Sequence, residues 1–188
     1  MIALLFAAAL AQHAATPQAF APKGWSVEAS AAGDLNGDGK LDAVLVLKDA
    51  KGVRMIAVAF GGAGGYDLAA QNSRLLPVDS SDAQDTFDKG GLAIKGRVLN
   101  IRTDQLRGNT TYSFRFQNGR FELIGYHSVG ADAGTIEDDS YNFSTGRMQR
   151  SVSPIDGDPK KPRQFKFQSP VVTLDGIDGD YLPPQDYK

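Results

Sequence analysis

Residues 110–128 allow few folds. Polar and apolar side chains alternate through Tyr112, Ser113, Phe114, Arg115 and Phe116, and Asn118-Gly119 separates this run from another at 120–128. Successive side chains of a strand point to opposite faces, so the three rings share one face of an extended chain. Asn-Gly is the preferred pair for a tight two-residue hairpin, because both positions need positive φ. The stretch predicts an antiparallel hairpin with its aromatic face buried.

Other segments follow the same grammar. Residues 42–47 (DAVLVL) are almost continuously apolar, as a strand buried on both faces should be. A turn at 49–52 leads to 54–60 (RMIAVAF) as its partner. Residues 91–94 and 98–103 predict a hairpin around Lys95-Gly96-Arg97, and 140–143 with 147–152 another around Ser144-Thr145-Gly146. Residues 164–168 and 171–174 are late strand candidates. Residues 61–65 (GGAGG) read as a flexible loop, and 137–139 as a polar one. The acidic stretch 75–89 reads as an exposed loop, although the spacing of Asp79, Asp82, Asp85 and Asp88 would also suit one face of a helical turn. Few segments carry a helical period. The expected fold class is all-β, an antiparallel meander of about 8–10 short strands closed as a sandwich, a barrel or a blade-like curved sheet.

A chain of 188 residues fits one domain. Its net charge of −2 gives no basic surface for nucleic acid. Lys160, Lys161, Arg163 and Lys166, interrupted by prolines, read as a solvated loop and strand edge. The absence of cysteine removes disulfides, thiolate metal sites and cysteine nucleophiles together. Residues 2–11 (IALLFAAALA) are too short to span a bilayer but match the apolar core of a secretory signal peptide. Ala9-Leu10-Ala11 and Ala11-Gln12-His13-Ala14 offer cleavage sites. The expected organisation is a signal peptide and Ala/Pro/Gln tether over 1–22, one β-rich domain over 23–178 and a tail over 179–188. The expected address is periplasmic or secreted, as a monomer with no membrane span.

The most informative stretch for chemistry is Asp34-Leu35-Asn36-Gly37-Asp38-Gly39-Lys40-Leu41-Asp42. Oxygen-bearing side chains stand at loop positions one, three, five and nine, with glycine at position six. Alternate residues can turn inward around a hard cation while the glycine permits a sharp reversal. The expected ligands are the side chains of Asp34, Asn36, Asp38 and Asp42 and the backbone carbonyl of Lys40, with Ca²⁺ favoured over Mg²⁺. Position twelve is Leu45 rather than a bidentate Glu, and a strand follows instead of a helix. The expected affinity is therefore that of extracellular modules, about 10⁻⁴–10⁻³ M.

This loop running into an apolar strand (GDLNGDGKLDAVLVL), followed by Phe60-Gly61-Gly62-Ala63-Gly64-Gly65-Tyr66, resembles the FG-GAP/VCBS unit of integrin-type β-propeller blades. The likeness covers Gly33 to about Leu68, with Gly64 in place of the name-giving proline. It implies a calcium loop between strands and a blade turn at the glycine segment. Only one unit is evident, and no fixed-interval repeat suggests a propeller array. The stretch 121–146 is also similar to small exported bacterial proteins that carry a single such loop.

No nucleophile elbow, HExxH or phosphate-cradling loop occurs. His127 reads as a surface or cross-strand residue. Glu122, Glu137, Asp138 and Asp139 are candidates for glycoside chemistry only as carboxylates. Asp175, Asp178 and Asp180 lack the one-three-five register and read as a turn. Trp25, Tyr66, Tyr112, Phe114 and Tyr126 read mainly as core. The functional expectation is an exported calcium-binding module for an envelope protein or a polysaccharide, the alternative being a secreted hydrolase with structural calcium.

Overall fold

The computed structural model describes residues 12–79, 87 and 90–186. Residues 1–11 of the expected signal peptide and tether (1–22), and residues 80–86, 88 and 89 of the expected acidic loop (75–89), lie outside the described residues. The ordered elements are β1 (His13–Ala14), β2 (Ser26–Gly33), β3 (Asp42–Lys48), β4 (Arg54–Gly62), β5 (Gly65–Asn72), β6 (Leu92–Lys95), β7 (Val98–Gln105), β8 (Gly108–Gln117), β9 (Arg120–Asp132), β10 (Thr135–Asn142), β11 (Arg147–Pro154) and β12 (Arg163–Lys166), with one 3₁₀ turn at Pro17–Phe20. They form two open antiparallel sheets, ordered β1-β5-β4-β3-β2 and β12-β11-β10-β9-β8-β7-β6. The all-β antiparallel class is as predicted. Of the three closures expected, the chain takes the one in which two sheets share a core, with twelve strands among the described residues.

β3 shows why the sheets stack. Val44 and Val46 pair with Val58 and Ile56 on one face, where they meet Leu99, Ile101, Phe114 and Phe121 of the larger sheet. Leu45, Leu47 and Ala57 point the other way and form a smaller cluster covered by Ala21 and Trp25. Both faces of β3 are buried, which accounts for its unbroken apolar run. Where the sheets meet, a side chain at Gly33 would run into Ile94. The 118–119 turn is as predicted, with φ of 53° at Asn118 and 75° at Gly119.

Several local expectations fail. Gly61 and Gly62 belong to β4 and Gly65 to β5, so the glycine segment narrows to a tight turn at 63–64. Residues 137–139 are strand, because β10 is hydrogen-bonded to β9 on one side and β11 on the other. Residues 12–22 pack onto the fold, with β1 pairing with β5 and Phe20 buried. The segment after 174 is likewise attached. Buried Asn72 donates from Nδ2 to the carbonyls of Leu174 (2.6 Å) and Ile177 (2.7 Å), and its Oδ1 accepts from the amides of Arg74 and Leu75, both at 2.7 Å. Every hydrogen-bonding site of that amide is used. Gly179 N–H donates to Arg74 O at 2.9 Å, and Tyr181 packs against Tyr126.

Candidate metal site

The Asp34–Asp42 loop joins β2 to β3. Leu35 is fully buried and pins the loop to the core. Asp42, the first residue of β3, is 0% exposed and turns back across the loop. Its Oδ2 accepts from the amides of Leu35 (2.7 Å) and Asn36 (3.4 Å), and its Oδ1 from Gly61 N–H (2.9 Å). The remaining side chains close short turns onto the backbone. Asp34 accepts from Gly37 and Gly39, Asn36 from Asp38, and Asp38 from Lys40. The Lys40 amide holds the Asp38 carboxyl below its usual range. Such turns are the reason Asp and Asn favour loops of this kind.

Two residues complete the loop that spacing alone does not reveal. Gly61 lies opposite Leu41 in the register that pairs Ala43 with Ala59, and a side chain there would collide with the Leu41 carbonyl. Arg97, at positive φ in the β6–β7 turn, donates from Nη2 to Asn36 O at 2.8 Å. Its guanidinium lies where a side chain at Gly37 would otherwise be. The Asp loop is thus held by β4 of its own sheet and by a turn of the other.

As donors, three carboxylates, one amide and a carbonyl suit a hard divalent cation in type and in order. Each carboxylate has about four lone-pair positions, so the backbone hydrogen bonds leave acceptor capacity. Among the described residues, however, no three His, Asp or Glu side chains converge on one point. The loop is held by its own amides, and Asp34 and Asp38 would need to turn inward to share an ion.

The other candidates are dispersed. Exposed His127 pairs across strands with Asp138 at 2.9 Å on the outer face of the larger sheet. Glu122 is buried but answered by Gln117 (2.6 Å) and Arg120 (2.8 Å), which hold its carboxyl below the usual range. Asp178 and Asp180 border a cleft with Arg74, Thr103 and Tyr112. At the pole opposite the Asp loop, Arg54 is 4% exposed and forks onto Glu28 at 2.7 and 2.6 Å. Lys48 bridges Glu28 (3.0 Å) and Asp79 (2.8 Å). This network ties β2 to β3 and β4. No helix among the described residues is long and apolar enough to cross a membrane.

Comparison with known protein families, with curated proteins and with solved structures found no match. The likeness of the Gly33–Leu68 stretch to an FG-GAP/VCBS unit therefore rests on those residues themselves.

Proposed function

We propose that this protein is an exported, calcium-stabilised β-domain that works by binding an envelope protein or a polysaccharide rather than by catalysis. The observation that supports the reading best is the order of donors in the Asp34–Asp42 loop, together with its seat against the buried strand β3. Asp34, Asn36, Asp38 and Asp42 would hold the ion with the Lys40 carbonyl. The cation supplies positive charge to carboxylates that would otherwise repel at close range. Asp42 fixes the closing end of the loop through Leu35 and Gly61, and Arg97 fixes its crest through Asn36. Ion binding then adds to folding stability.

The test is thermal unfolding in EDTA and in calcium. A site of about 10⁻⁴–10⁻³ M in about 10 mM calcium gains about 1.4–2.7 kcal/mol, which raises Tm by about 3–11 °C for a chain of this size. Asp38→Ala should abolish the rise at little cost in EDTA, since Asp38 is exposed and its partners, the Lys40 amide, the Lys40 ammonium and the Asn36 side chain, all lie within the loop. An equal Tm in both media would sink the ion.

One observation favours the hydrolase alternative. Glu137 and Asp139 share a face of β10, their Cα atoms about 6.8 Å apart along the strand, and paired glycosidase carboxyl groups are about 5–5.5 Å apart in retaining enzymes and about 6.5–9.5 Å apart in inverting ones. Burial pushes the Asp139 carboxyl up, while Glu137 is ion-paired with Arg150 at 2.7 Å. Release of reducing sugar from a polysaccharide, lost in Glu137→Gln, would establish it.

A further inference from the structure

The inward face of the seven-stranded sheet continues beyond the core. Past the ring row of Tyr112, Tyr126 and Tyr141, cross-strand pairing places Thr110, Ser128, Asp139 and Arg150 in the next row. Gly108, Gly130, Glu137 and Val152 form the row after that. The C-terminal segment lies over the ring row. Tyr181 stands edge-on to Tyr126, with ring centroids 6.3 Å apart, and Pro183 is buried.

Two polar atoms here lack an answer. Asp139 Oδ1 and Tyr181 Oη are buried with no hydrogen-bond partner among the described residues. Arg150 Nε stands 3.7 Å from Asp139 Oδ1, beyond hydrogen-bond range. Buried polar atoms are nearly always satisfied, so the two atoms call for a hydrogen-bonding partner from outside the chain, a water or a ligand. Burial also keeps the Asp139 carboxyl above its ordinary range.

Next to them the sheet is bare. Gly108 and Gly130 are cross-strand partners, and a Cβ at Gly130 would meet nothing within 4 Å. A cavity of about 400 Å³ opens over this floor, bordered by the apolar Leu106 and Ala131 as well as by Gln105, Arg107, Gly130, Asp132 and Glu137. Its size is within the range of about 300–1,000 Å³ typical of small-ligand sites. Three carboxylates, Glu137, Asp139 and Asp132, stand with two guanidiniums, Arg150 and Arg107, so both signs are present with one carboxylate in excess. Arg150 Nη2 donates to Glu137 Oε2 at 2.7 Å and lies beside Asp139, while Arg107 and Asp132 both border the cavity.

We propose that this face binds a neutral oligosaccharide, with Asp139 and Glu137 accepting from sugar hydroxyls, Arg150 donating to them and the glycine floor receiving the flat side of a ring. A polyanion would meet Glu137, Asp139 and Asp132, and a polycation would meet Arg107 and Arg150. An added peptide strand has no purchase, because β8 to β11 each have sheet neighbours on both sides. Acceptors and a donor at strand spacing suit a ligand that carries both kinds of group on every ring. The assignment rests on the binding-module reading and needs no ion.

Amide NMR titration with cellohexaose, maltohexaose and chitohexaose tests it. At least one should shift Gly108, Gly130, Glu137, Asp139 and Arg150 together. Asp139→Ala should weaken that hexasaccharide by about tenfold or more. Gly130→Leu should abolish binding while leaving Tm unchanged, because its side chain fills the cavity without touching the fold. Arg102→Ala, on the outer face, should change nothing. The proposal is overturned if none of the three shifts these amides, if the shifts map to the outer face, or if Gly130→Leu binds normally. A calcium-dependent Tm with no hexasaccharide shift removes this site and leaves the ion standing. The converse removes the ion alone.

Discussion

Asp42→Ala removes an acceptor that three backbone amides share. Two of its hydrogen bonds are short, 2.7 Å from Leu35 N–H and 2.9 Å from Gly61 N–H, and the carboxylate is wholly buried. Alanine leaves the loop's donors without an acceptor in a place where water does not reach. Each hydrogen bond to a charged group contributes about 1.5–3 kcal/mol, so the two together predict a loss of about 3–6 kcal/mol. That is a large share of a typical total of about 5–15 kcal/mol, and at 2–4 °C per kcal/mol it lowers Tm by about 6–24 °C. Urea unfolding followed by the single tryptophan is the assay, because Trp25 packs on the cluster that includes Leu45 and Leu47 of β3. The measurement belongs in EDTA, where any ion contribution is absent, with Asp38→Ala as the paired control. The midpoint should fall in Asp42→Ala with the slope unchanged, and move little in Asp38→Ala. A loss below about 1 kcal/mol in EDTA would refute the reasoning. It would mean that the loop amides find other acceptors and that Asp42 has no role apart from an ion.

Glu28→Gln should cost about 3 kcal/mol at neutral pH, the low end for a broken buried pair because Asp79 remains 3.4 Å from Arg54. Arg54 holds the Glu28 carboxyl below its ordinary 4.5. The stabilisation is therefore full above pH 4.5 and vanishes as pH falls through the lowered value, so the two proteins should converge in acid melts. Asp139→Asn should act in the opposite sense. Burial raises that carboxyl above 3.8, so ionisation penalises the native state above that pH. The variant should be the more stable at neutral pH, and its advantage should disappear in acid. If the chain is exported, Edman sequencing of the mature protein should begin at Gln12. Cleavage after Ala14 would delete β1 and the 2.8 Å contact between His13 and Asp67.

The sequence revealed strands where their own side chains demanded burial and missed them where neighbours imposed pairing. DAVLVL and the Tyr112-Phe114-Phe116 alternation state their surroundings outright. β2 (SVEASAAG) and the start of β10 (TIEDD) do not, because small or acidic residues say nothing of strand without a partner. The acidic half of β10 is extended because β9 and β11 flank it. The glycine segment misled for a related reason. The run of glycines predicts slack at Gly61, yet this residue is the seat of the Asp loop, a fact that follows only once Ala43 is known to face Ala59. The Asp loop itself was legible because its residues are consecutive. Arg97, Tyr181 and the Gly108–Gly130 floor were not, since they meet the rest only through tertiary pairing.

The Asn72 amide has a consequence for the order of assembly. It joins residues separated by 102 and 105 positions, and both carbonyls it holds belong to segments whose Leu174 and Ile177 side chains fill the core. Contacts across so long a separation form only after the intervening chain has been gathered. A polypeptide delivered N-terminus first through a narrow pore could pair β3 with β4 early, yet its core would stay open until residues 174–177 had arrived. The core is, in effect, fastened by residues 174–177, so it would remain pliable during such a passage until that segment emerges.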